Sequence, residues 1–307
     1  MSKSSKGRTK PGRQTVKSKK KKQPQKVNLN KVTRDSDLGV FEALVLCNQA
    51  TPDFNALEQR LIEKGLVAVN MQNAELVARF QNMMSIPEQP TIVVQTPGIG
   101  SYTVISSGEV ISPLGMEAIS SVSPFCQDVD QLFAAHRSTL TVVTRLKNVS
   151  PRDNFPLWVQ TVQTILEDES SIGVVIQGAL RPKSEFLQAA QAILEQHRPD
   201  FSAYVTVHLY SDSGAKDYSS IFTMGCRAFG LLELEMRHLT QGQLETAVPH
   251  LQAIANYCLW RQKSLANGEV IQVPGLPAYR AETALGTGED KRPLTVLTQL
   301  ASSEASN

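Results

Sequence analysis

At 307 residues, with 41% apolar and 20% charged side chains, the chain can bury one large core or two ordinary ones. The net charge of +2 hides an asymmetry. Of 31 basic and 29 acidic side chains, residues 1–34 hold 13 Lys and Arg and no acid, so 18 basic face 29 acidic in the rest, a net of −11. The longest apolar run, Leu38 to Cys47, is broken by Glu42 and falls short of the ~18 residues of a membrane span. No apolar stretch follows the basic start, and Cys47, Cys126, Cys226 and Cys258 have neither redox nor metal-ligand spacing. These features point away from a membrane span, a secretory leader and a disulfide scaffold, and predict a cytoplasmic protein with core thiols.

Residues 1–36 are Lys, Ser, Gly, Gln and Pro with little to bury, so a disordered basic tail is expected. Its centre is Lys17, Lys19, Lys20, Lys21 and Lys22, a run suited to nucleic acid or another anionic surface, or else a solubilising tail. No aromatic side chain interrupts it, which argues against base-specific recognition. Order is expected from Leu38. Val40–Leu46 reads as a strand, Asn55–Lys64 as an amphipathic helix ended by Gly65, and Leu66–Met71 as the next strand. Residues 75–84 fit helix or strand. Thr91–Gln95 and Tyr102–Ser106 read as strands around a Pro/Gly turn, with Glu109–Ile111 extending that sheet.

Residues 113–136 read as two helical pieces broken at Ser123-Pro124, Leu140–Arg145 as a strand, and Pro156–Glu167 as a helix. A short buried strand (Ile172–Ile176), a helix opened by Pro182 (Lys183–His197) and a strand (Ala203–Tyr210) follow. Ile221–Gly225 and Leu232–His238 form a hairpin. Gly242–Lys263 is the longest helix, and Val270–Val273 a last short strand. Residues 276–307 read as a flexible C-terminal tail, apart from a helical turn near 294–300. The mixed order favours an α+β fold, a mainly antiparallel sheet or sheets with helices packed on one face. The globular body is placed at 37–275, with a division into 37–112 and 136–275 left open.

The hairpin is the most specific stretch. In Thr223-Met-Gly-Cys-Arg-Ala-Phe-Gly-Leu-Leu-Glu-Leu-Glu235 two glycines bracket a short connection, and apolar Leu232, Leu234 and Met236 alternate with Glu233, Glu235 and Arg237. This stretch resembles the T-x-G-x-x-x-F-G-x-x-E-L-E signature of a bacterial family catalogued only as a domain of unknown function. His136–Arg145 is similar to that family's histidine-led strand, Ile172-Gly-Val-Val to its central strand, and Phe186 to the apolar opening of its next helix. The resemblance implies a bacterial α+β domain. It brings no activity and no cofactor with it.

Two carboxylates one strand pleat apart, Glu233 and Glu235, would sit about 7 Å from each other and suit acid–base or metal chemistry. The plainer reading is a solvated face, with Arg237 as a partner. His208 and His238, on or near the same strands, are the weak candidates for completing a metal centre, though no paired-His motif supports one. Gly98-Ile-Gly100 and Gly286-Thr-Gly288 are turns rather than phosphate loops, and Trp158 and Trp260 read as packing residues. No cofactor is expected. The leading expectation is a non-enzymatic binding or scaffold protein with a cationic arm and an unknown protein partner. The alternatives are a metal-dependent hydrolase built on Glu233 and Glu235, and a nucleic-acid-associated protein tethered through residues 1–34.

Overall fold

The computed structural model describes residues 38–71, 89–95, 102–123, 126–145, 150–196, 200–211, 218–286 and 292–301. Within them the fold is α+β, with two sheets. The first has seven strands: β1 (Val40–Cys47), β2 (Val67–Asn70), β3 (Thr91–Gln95), β4 (Tyr102–Gly108), β5 (Ser138–Arg145), β6 (Ser171–Ile176) and β7 (Ala179–Pro182). Their order is β2-β3-β4-β5-β1-β6-β7, antiparallel at every pairing. β5 and β6 both run opposite to β1, between them, and are joined by α4 (Pro151–Leu166), which makes a split βαβ unit.

Alternation along β1 explains how this sheet is covered. Phe41, Ala43, Val45 and Cys47 point into the main core with α4, α1 (Phe54–Glu63) and α5 (Lys183–Gln196). Leu44 and Leu46 point the other way, into a small second cluster with α2 (Pro113–Ser121) and α3 (Val129–Ala135). α1 begins where Asp53 accepts hydrogen bonds from the Asn55 and Ala56 N–H groups. α4 begins at Pro151, five residues before the predicted start, because Pro at the first helical position is tolerated and Pro156 is carried inside the helix.

The second sheet holds β8 (Thr206–Ser211), β9 (Ser219–Met224), β10 (Glu233–Leu239), β11 (Val270–Ile271), β12 (Tyr279–Leu285) and β13 (Pro293–Gln299), in the order β11-β12-β13-β10-β9-β8. β10 and β13 are parallel, and the other pairings are antiparallel. α6 (Gln241–Arg261) packs across β8, β9 and β10, burying Leu244, Leu251, Ile254, Ala255 and Cys258. One core runs through both sheets. At its centre Phe41, Phe155, Trp158, Phe201, Tyr204 and Phe229 form an aromatic cluster, with ring centroids 5.0 Å apart for Phe41–Tyr204, Trp158–Tyr204 and Phe201–Phe229. Trp158 is fully buried there, whereas Trp260 is 45% exposed beneath the Arg152 guanidinium, 5.1 Å away.

Three expectations are corrected, and one element is added. Residues 279–285 and 293–299 of the supposed flexible tail are paired strands, with Ala281 and Leu297 in the core. A division at 112–136 would cut β4 from β5 and β1 from β5, which are paired along their full lengths; the sheets divide instead between residues 182 and 206. Residues 109–111 leave the sheet, and the Ile111 N–H donates to Nε2 of buried His136, 3.1 Å away. That acceptor role leaves Nδ1 as the donor to the Phe133 carbonyl, at 2.6 Å. Finally, the Gln177-Gly178 turn (φ 50° and 79°) folds β7 back on β6, a hairpin the sequence reading passed over. The ambiguous 75–84 segment, His197 and the basic tail lie outside the described residues.

Candidate functional site

The 223–235 hairpin is a turn built around a buried carboxylate. β9 ends at Met224, Gly225 takes φ 116°, residues 226–229 form a 3-10 turn, and Gly230 (φ 79°) releases the chain into β10. The turn leaves the N–H groups of Gly225, Cys226 and Arg227 without backbone partners of the ordinary helical kind. Glu233 supplies them. Its Oε1 accepts from Gly225 N (3.0 Å) and Arg227 N (3.2 Å), and its Oε2 from Cys226 N (3.2 Å) and the Thr223 hydroxyl (2.7 Å). Thr223 Oγ1 in turn accepts from Leu234 N at 2.8 Å, locking β9 to β10. Burial pushes the Glu233 carboxyl above its ordinary range, opposed by the bonds from Thr223, Arg227 and Gly225. A Cβ on Gly225 would lie 3.1–3.3 Å from Tyr204 atoms, so the turn's residue pattern follows from its geometry.

Glu235 is only 1% exposed. Its Oε1 accepts from the Tyr210 hydroxyl, and its Oε2 from Arg237 Nε at 2.6 Å; Arg237 also donates to the Leu285 carbonyl at 3.2 Å. The expected pair of carboxylates on a solvated or cleft-lining face is therefore corrected. Strand alternation does turn both away from Leu234 and Met236, but each is buried and committed to a separate set of internal donors.

His208 is 3% exposed, with Nε2 2.8 Å from Thr206 Oγ1 and the ring against the Gln177-Gly178 turn. Burial pushes its pKa down to about 4, helped by Arg181 and opposed by a bond to the Gln177 backbone. His238 is exposed, within a shift of the β9–β10 register. The four proposed ligands do not meet, and among the described residues no three His, Cys, Asp or Glu side chains are grouped to hold a metal ion. Nor, among those residues, is any helix long and apolar enough to cross a membrane.

A different site emerges at one end of the second sheet. A cleft of about 360 Å³ lies where the carboxyl ends of parallel β10 and β13 meet the first turns of α6. His238 borders it with φ 57°, a left-handed backbone uncommon outside glycine and often found where function constrains a chain. His250 also borders it, its Nδ1 2.7 Å from the hydroxyl of buried Tyr279. Arg237, Thr246 and Thr298 add polar groups, and Met236, Ala247 and Leu297 an apolar side. Among the described residues no carboxylate lines it. Of this site the sequence singles out only His238; His250 and Tyr279 escape it because Tyr279 falls in the expected tail and the β10–β13 pairing joins segments about 60 residues apart. The i, i+4 pair Thr246 and His250 on α6 is a further local signal.

No protein-family model, curated protein or solved structure matches the chain.

Proposed function

We propose that the chain is a non-enzymatic binding protein, an acidic folded body held on a polyanionic partner by its cationic arm. The observation that carries this reading is the commitment of Glu233 and Glu235 to internal donors, which makes the signature a device of folding and leaves neither carboxylate exposed for acid–base work. The charge division supports the role of the arm, with 13 basic residues and no acid in residues 1–34 against a net of −11 elsewhere.

The test is salt-dependent binding of the full chain to duplex DNA, beside a variant with Lys17, Lys19, Lys20, Lys21 and Lys22 changed to Gln. Each phosphate contact contributes about 0.9 to the slope of log K against log salt, so losing these five should lower the slope by about 4.5. Equal slopes for the two proteins would remove the arm from the account and return the search to protein partners of the body.

A further inference from the structure

We infer that the cleft at the ends of β10 and β13 binds a small organic oxyanion, a carboxylate- or phosphate-bearing molecule with an apolar portion. Four observations converge on it. The first is electrostatic. Arg237, His238 and His250 line the cleft and, among the described residues, no carboxylate does, although the chain beyond residue 34 is acidic overall. Arg237 is paired with Glu235, whose side chain is 1% exposed, while the Arg237 side chain keeps 25% of its surface open.

The second observation is backbone geometry. The β9–β10 register shifts between Met236 and Leu239, and His238 holds its left-handed conformation within that shift. Such irregularities cost free energy, of order 1–3 kcal/mol for the φ alone, and they concentrate where a side chain must be re-aimed. Third, the Tyr279 hydroxyl holds His250 through Nδ1, fixing the ring and leaving Nε2 as its second polar atom. Fourth, Met236, Ala247 and Leu297 give the cleft an apolar side, and its volume lies within the range of small-molecule sites.

The arm also attracts anions, so the test must be resolved by site. The five histidines of the full chain allow this, since their ring Hε1 signals can be followed by NMR and assigned by single His→Gln variants. Inorganic phosphate and malonate are titrated separately, each against sodium chloride at matched ionic strength. Saturable movement of the His238 and His250 signals, with buried His136 and His208 unmoved, is the expected result. Phosphate alone saturating assigns a phosphate-bearing ligand, malonate alone a carboxylate, and both an oxyanion site open to either. Thr246→Val, at an exposed position whose hydroxyl donates to the Gln243 carbonyl at 3.1 Å and would turn that proton to a bound anion, should weaken the saturating anion about fivefold to tenfold. The inference is overturned if neither anion moves these two signals beyond chloride, or if Thr246→Val leaves the affinity unchanged.

Discussion

His208 makes the stability of this fold depend on acid in a way that can be worked out beforehand. Its ring is buried between Thr206 and the Gln177-Gly178 turn, near Arg181, and its pKa is pushed down from 6.5 to about 4. Above about pH 6.5 the ring is neutral in both folded and unfolded chains, and it contributes no pH dependence. Between about pH 6.5 and 4 the unfolded chain takes up a proton that the folded chain refuses, so unfolding is favoured progressively as pH falls. Below about pH 4 both states are protonated and the loss levels off. The shift of about 2.5 pKa units corresponds to roughly 3 kcal/mol in full, of which about 2 kcal/mol is lost by pH 5. Glu233, with its carboxyl pushed up, contributes in the opposite sense, so the useful quantity is a difference. Urea unfolding of the wild type and of His208→Gln should be compared from about pH 7.5 to pH 4.5. The variant removes the titrating group, and its stability should fall less than the wild type's by about 2 kcal/mol at pH 5. Parallel curves would show that His208 is protonated without cost in the folded protein, and the burial argument would fail.

Gly225→Ala places a Cβ 3.1–3.3 Å from Tyr204 at φ 116°, which combines backbone strain with overpacking. A loss of about 2–4 kcal/mol is expected by thermal unfolding. Glu235→Gln leaves Arg237 and the Tyr210 hydroxyl without their carboxylate. Because Arg237 keeps some solvent, the expected loss in denaturant unfolding is about 2 kcal/mol, below the range for a fully buried pair.

Much of the first sheet was readable because its strands and helices carry local signals. Asp53 caps α1 as its type and place suggest, and Val142 and Leu140 in β5 alternate as a half-buried strand should. The C-terminal strands were not readable. Tyr279–Leu285 is interrupted by Arg280 and Glu282, and Pro293–Gln299 lies among Pro, Gly and Ser, so neither looks apolar enough until paired with the other and with β10. Short β7 was hidden by Arg181 and Pro182, although Gln177-Gly178 is a fair turn signal.

At the signature, alternation correctly separated Glu233 and Glu235 from the Leu234 and Met236 side. It could not show that the charged side is itself buried, because the donors that satisfy Glu233 are backbone N–H groups whose orientation depends on the Gly225 conformation. The cleft was illegible for the same kind of reason. His238, His250 and Tyr279 come from three elements, and nothing local in the sequence brings them together.

The central claim, that Glu233 is the internal partner of its turn, is tested most directly by Glu233→Gln. Whichever way the amide is placed, its NH₂ faces at least one backbone N–H, because both carboxylate oxygens accept from the turn. One orphaned buried donor and weakened charge-assisted bonds, offset by relief from burying a charge, give an expected loss of about 2 kcal/mol. Denaturant unfolding and amide hydrogen exchange should be read together. The account predicts that stability falls by this amount, with protection lost first at Gly225, Cys226 and Arg227. Stability within about 0.5 kcal/mol of wild type, with protection at those amides unchanged, would contradict it.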